Sequence, residues 1–212
     1  MGATHGKHGI LYKWNGTGSD LSGEACTEDA ATAQITDTAK RILNPNATVT
    51  FTDTGGEAVT RIDYAEGKAY FSGNVTVVTC SGTGAYVASG NLVKTGYLYE
   101  WALEFTLETH DLTAFQDDWR AMGGGLAAAA GSAQGFMVGS NWWDDLEDET
   151  DGTKDLWFLE LFSYDPDDDR TGDHYDLWAV ITGLNPNVPL GDYIKETINF
   201  EAYGYVPFTA NS

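Results

Sequence analysis

Basic residues are scarce in this chain. Its 212 residues hold 11 Lys and Arg against 32 Asp and Glu, a formal charge of −21 and a pI near 4.1. Broad binding to nucleic acid draws its strength from basic side chains that release counterions from phosphates, so this balance excludes such a mode. It opposes adhesion to anionic lipid for the same reason. Cysteine is nearly absent. Cys26 and Cys80 fit no zinc or redox spacing, and the expectation is two free, buried thiols. No apolar run approaches the ~18 residues of a membrane helix, and the N-terminal Met1 to His8 lacks the apolar core of a secretion signal, so the chain reads as intracellular where it is made, with no membrane partner. Phosphate-loop and G-x-S-x-G patterns are missing too, which leaves nucleotide binding and serine hydrolysis without a motif.

Hydrophobic and aromatic side chains are plentiful: 42% and 13% of the sequence, too much for a disordered acidic tail. Glycine contributes 25 residues, many of them in polar breaks between segments rich in β-branched and aromatic residues. That punctuation predicts an all-β chain, an antiparallel β-sandwich or partial barrel. The clearest strand is 97–109, where Tyr97, Tyr99, Trp101, Leu103, Phe105 and Leu107 alternate with Glu100, Glu104, Thr106 and Glu108. The segment 156–164 is apolar on both faces, which predicts a central strand or one covered by another subunit. Further strands are expected at 10–14, 48–52, 59–64, 68–71, 75–79, 174–182 and 194–201. One short flanking helix is expected over 113–122, capped by Asp111 or Thr113 and ended by Gly123, Gly124 and Gly125. A single turn or two should follow Asp37 and stop at Asn44 and Pro45. The whole of 1–212 reads as one domain, with an extended N-terminal segment and long loops at 15–27 and 44–57.

The chemistry-bearing clusters are thin. Asp165, Asp167 and Asp169 alternate like calcium ligands, but Arg170 stands where an EF-hand loop needs Gly and Asp176 where it needs Glu, so they make only a weak metal candidate. His5 and His8 have ligand spacing only on a helix, and Gly6 argues against one. Carboxylate pairs for glycoside hydrolysis occur by chance among 32 acids. No catalytic residue, cofactor or cofactor site is indicated. The seven tryptophans, Trp142 and Trp143 above all, raise a carbohydrate-stacking alternative, but most sit inside strand or helix patterns and are expected in the core or an interface.

The order of features along the chain carries more than any one motif. The stretch from Ile35 to Asn46 is followed by Ile62 to Phe71, then Trp101 to Phe105, Leu112 to Arg120, a Gly/Ala strand ending in Phe136, Ala179 to Gly183 and Glu196 to Gly204. This succession resembles the major tail (tail tube) proteins of long-tailed, non-contractile bacteriophages and prophages. The resemblance implies a structural virion protein and not an enzyme. Its partners would be itself, as homohexameric rings stacked in a helical tube, and the tape measure, terminator and distal tail proteins. DNA would pass through the lumen without specific binding, and the protein, assembled in the host bacterial cytoplasm, would reside in the tail of the virion. Six copies would carry on the order of −126 per ring, a charge that repels phosphate if part of it faces a channel. Glu100, Glu104 and Glu108, on one face of the longest strand, are the candidate lumen residues. The alternatives within reach are a tail terminator, a contractile-type tube protein, a secreted carbohydrate-binding sandwich, or a two-carboxylate hydrolase. A halophilic or marine source would also account for the acidity.

Overall fold

The computed structural model describes residues 4–6, 8–111, 122–137, 155–163, 173–187, 195–204 and 206. Strands make up most of the described residues, and no helix of seven or more residues occurs among them. The strands fall into two sheets, a closed barrel and a curled half-barrel.

Six strands close the barrel: β2 (His8–Trp14), β9 (Leu92–Asp111), β10 (Met122–Met137), β13 (Lys195–Ala202), β12 (His174–Asn187) and β11 (Trp157–Phe162), with β2 pairing both β11 and β9. The short β1 (Thr4–Gly6) continues the line of β2 along β9, Gly6 opposite Trp101 and Gly9 opposite Leu98. Every pairing is antiparallel. Its interior is filled by Leu11, Leu98, Trp101, Leu103, Trp157, Leu159, Leu161, Leu177, Ile198 and Phe200. A barrel this small has room for side chains but not for a channel, so any conduit must lie outside it.

The half-barrel orders β5 (Thr50–Asp53), β8 (Val78–Tyr86), β3 (Ser19–Asp29), β4 (Thr32–Ile35), β7 (Lys68–Phe71) and β6 (Val59–Asp63). It has its own core, with Ile35, Leu43, Phe51, Phe71, Val78 and Cys80 at the centre. The single turn expected after Asp37 is present at Thr38–Lys40, where the Asp37 carboxylate accepts the Ala39 N–H at 3.1 Å. At the β6–β7 turn Gly67 has φ of +61°, and a Cβ there would stand 2.6 Å from the Arg41 carbonyl oxygen, so only glycine fits.

A third cluster joins the two sheets. Ile10, Tyr12, Phe158 and Trp178, on the outside of the barrel, pack with Ala65, Val87 and Leu156 and with half-buried Tyr64 and Ile42. Phe158 and Trp178 meet edge to face at 5.3 Å. This settles the strand that is apolar on both faces: Trp157, Leu159 and Leu161 of β11 point into the barrel, while Phe158 is covered by the same chain and not by a neighbour.

The periodicity of β9 needs one correction. Period two holds from Glu100 to Thr106, but Tyr97 is exposed and Leu98 buried. Opposite them Gln134 pairs with Glu100 and Gly135 with Leu98, leaving Tyr99 as an extra residue. That bulge switches the inward residues from odd to even numbers. The stretch 15–27, expected as a loop, includes most of β3, while β5 in 44–57 falls where a strand is expected at 48–52. The helix expected over 113–122 lies outside the described residues, apart from Met122, which opens β10.

Candidate assembly surface

Two strands of the barrel run on past the described strands that pair with them. On one side β9 is paired by β2 and β1 only as far as Leu103, and on the other β10 meets β13 only from Ala130 to Gly135. Beyond those points β9 and β10 continue as a two-stranded ribbon, Thr106 opposite Ala128 and Asp111 opposite Met122, whose outer edges pair with no described strand. At the opposite end of the barrel β12 is paired with β11 only from His174 to Ala179, and its continuation to Asn187 has β13 on one side and no described strand on the other. An extended ribbon is a template for a further strand wherever its edges are unpaired.

The outer face beside the ribbon is polar and closely spaced. Ala130 lies between Glu104 on β9 and Glu201 on β13, so the two carboxylates stand two strand spacings apart, about 10 Å. One row away, Ala102, Ser132 and Asn199 line up, and Glu100 faces Gln134. Glu100, Glu104 and Glu201 are all exposed. The face from Glu100 to Glu201 therefore carries three carboxylates and, among its described side chains, no cation. Alternation along β9 selected Glu100 and Glu104. It could not select Glu201, whose place beside them depends on the pairing of β13 with β10. Glu108 belongs to β9, but its side chain lies outside those described.

Where the acidic face ends, toward the start of β9, apolar side chains are exposed. Val93 is 55% and Tyr97 52% accessible, the Lys94 ammonium lies 3.8 Å over the Tyr97 ring, and Tyr99 packs on Phe136 at 5.3 Å. The cation–π contact and the ring pair limit how much of this patch water sees.

The remaining sequence candidates resolve as follows. Asp165, Asp167 and Asp169 lie outside the described residues, and no cluster of three or more potential ligands occurs among the described ones. His5 and His8 belong to extended strands, which removes the helical spacing a shared metal would need. Cys26 and Cys80 are free and buried, as expected, and burial pushes their thiols up to about 11 and about 12, so neither is a reactive thiolate at neutral pH. Trp101, Trp157 and Trp178 are core residues closed to sugar, and Trp14 is half-buried, packed edge to face on Trp178 at 5.7 Å. Trp119, Trp142 and Trp143 lie outside the described residues.

No family model and no curated protein matches the chain. Among solved structures it is similar to a chain of the tail of an empty gene transfer agent particle refined with C6 symmetry, at 21% identity and a TM-score of 0.39 over 57% of this chain and 89% of that one. A chain from the virion of a native gene transfer agent particle is similar at 20% identity and a TM-score of 0.37, over 53% of this chain and 85% of that one.

Proposed function

We propose that this protein is the repeating subunit of a phage-type tail tube, assembling head to tail into six-membered rings that stack. The observation that supports this reading is that, at opposite ends of a closed barrel, the β9–β10 ribbon and the end of β12 extend past the described strands that pair with them. A surface element at one end and a complementary one at the other make a heterologous contact, which closes into a ring or propagates as a filament. The β9–β10 ribbon of one copy would add to an open edge of the next, as main-chain hydrogen bonding favours for any extended strand beside a free edge. Its partners would then be its own copies, with tape measure, terminator and distal tail proteins at the ends, and its place the virion tail.

The acidic face gives the tube its working surface. With Glu100, Glu104 and Glu201 turned to the lumen, and with Glu108 of β9 as a further lumen candidate, each ring would present a band of carboxylates to passing DNA. Fixed negative charge removes the counterion-release attraction that holds DNA to protein, so the duplex slides without adhering. Replacing Glu100, Glu104 and Glu108 together with glutamine is expected to leave rings and tubes intact and to slow DNA ejection severalfold, with the largest effect at low salt where screening is weakest. Ejection kinetics followed by dye uptake at two ionic strengths check this, and equal rates for the variant and the unaltered protein would remove the lumen assignment.

A further inference from the structure

Two buried aspartates in the half-barrel have opposite electrostatic fates. Asp53 ends β5 with both oxygens satisfied: Oδ1 accepts the N–H groups of Thr76 and Val77 at 2.9 and 3.3 Å, and Oδ2 that of Glu57 at 3.2 Å. Those backbone donors, Thr76 first, hold it below the ordinary carboxylate range against the pull of burial. Asp63, which ends β6, is completely inaccessible, and only one of its oxygens is served: Oδ1 accepts the N–H groups of Ala65 and Glu66 at 3.0 and 3.2 Å. Its Oδ2 has no partner among the described residues. Burial, then the charge of Glu66, then that of Asp176 across the junction, push this carboxyl up to about 7.

A second buried carboxylate on the barrel acts on Asp63 through its charge. Asp176 lies on β12 with a buried Oδ1 that also has no partner among the described residues, while its Oδ2 stands 3.6 Å from His174 Nε2. Glu160 faces Asp176 from β11 and accepts the Tyr12 hydroxyl at 3.1 Å. On the side of the half-barrel, Lys68 is the cross-strand partner of Asp63, and it and Arg61 lie over the Tyr70 ring, at 5.6 and 3.9 Å. Tyr64 and Ala65, in the turn that Asp63 organises, pack into the cluster joining the two sheets. The charged groups to weigh for Asp63 are therefore Glu66 on its own turn, Lys68 and Arg61 on its hairpin, and Asp176 on the barrel, which itself has His174 and Glu160 beside it. Each of the two carboxylates has one buried oxygen without a partner among the described residues.

We infer that the contact between the β6–β7 hairpin and the barrel is a proton-operated latch, closed by one proton held on Asp63 in the field of Asp176 and loosened when that proton leaves. The sign follows from linkage. A carboxyl raised to about 7 in the closed state and ordinary, near 3.8, in the open state makes closure tightest in acid. Opening grows easier as pH rises toward 7 and changes no further above it, because the closed state is by then deprotonated as well. Glu196, buried at the inner face of β13 and pushed by burial to about 7, contributes a similar trend to global stability. The readout must therefore be local.

Amide hydrogen exchange of residues 59–71, corrected for the intrinsic rate, is that readout. Protection should fall by up to tenfold per pH unit between about pH 5 and 7 and level off above about 7.5. In Asp63→Asn, which keeps the acceptor for Ala65 and Glu66 and supplies a permanent donor, the slope in this segment should vanish. In Asp176→Asn the levelling-off should move to lower pH, since one of the charges raising Asp63 is gone. A flat profile in the unaltered protein, or an unchanged slope in Asp63→Asn, overturns the latch. Should Asp63→Asn fail to fold, an unshifted profile in Asp176→Asn overturns it equally. None of these outcomes depends on the protein forming a tube.

Discussion

Replacing Trp101 by alanine should cost the barrel most of its stability. The indole is 1% accessible, packs edge to face on Tyr175 at 5.9 Å, and its Nε1 donates to the carbonyls of both His8 and Phe162 at 3.0 Å. Those two residues face each other across β2 and β11, so one side chain from β9 ties together strands that close the barrel. Truncating a buried Trp costs about 3–5 kcal/mol in lost transfer energy and cavity formation. Stripping the donor from two carbonyls adds about 1–3 kcal/mol where water cannot replace it. A domain has only about 5–15 kcal/mol in total, so Trp101→Ala should be largely unfolded or molten near 37 °C. Trp101→Phe separates the two contributions: it keeps most of the packing and loses both hydrogen bonds, and should fall between. Urea denaturation followed by far-UV circular dichroism measures both, and a loss below about 1 kcal/mol for the alanine variant would contradict this role for Trp101.

Removing the ribbon should do the reverse, abolishing assembly while sparing the fold. Deleting 106–128 and joining the strands through a two-residue Asn-Gly turn leaves the barrel pairings of Leu103 with Gly131 and of Trp101 with Ala133 untouched. None of the barrel's buried residues lies within the deleted span among those described. Thermal stability should change by a few degrees at most, whereas the head-to-tail addition proposed for the ribbon edges should be lost. Sedimentation of the variant should give a single monomer boundary at concentrations where the intact protein forms larger species. Rings or tubes of normal size from the shortened chain would place the contact elsewhere.

Both predictions rest on features that the sequence carried unequally. Strand β7 was legible to the residue, because Lys68 to Phe71 is bounded by Gly67 and Ser72 and alternates cleanly. Strand β11 was legible as a fully buried strand, but what covers its outer face was not, since cover by the same chain and by a neighbour leave the same apolar pattern. Strand β3 was missed because its register against β8 shifts twice, between Ser19 and Leu21 and between Leu21 and Glu24, which leaves Leu21 and Cys26 as buried points without a simple period. The bulge at Tyr99 was invisible for a related reason: aromatic residues on both sides of it extend the alternation past the point where the faces exchange. Of the candidate surface, the exposure of Glu100 and Glu104 was readable from alternation. The overhang of β9, β10 and β12 past their described partners was not, because an overhang exists only by comparison with the lengths of neighbouring strands. Asp63 had a local signal, an aspartate opening the turn Tyr64, Ala65, Glu66, Gly67, but its burial and the charge of Asp176 acting on it are products of the two sheets meeting.

Negative-stain electron microscopy of the purified protein over a range of concentrations tests the central claim most directly. Six-fold rings, or tubes built of them, are the predicted result, and they should be absent when 106–128 is deleted. A monodisperse particle of about 23 kDa at every concentration up to the millimolar range, confirmed by light scattering, would contradict the account.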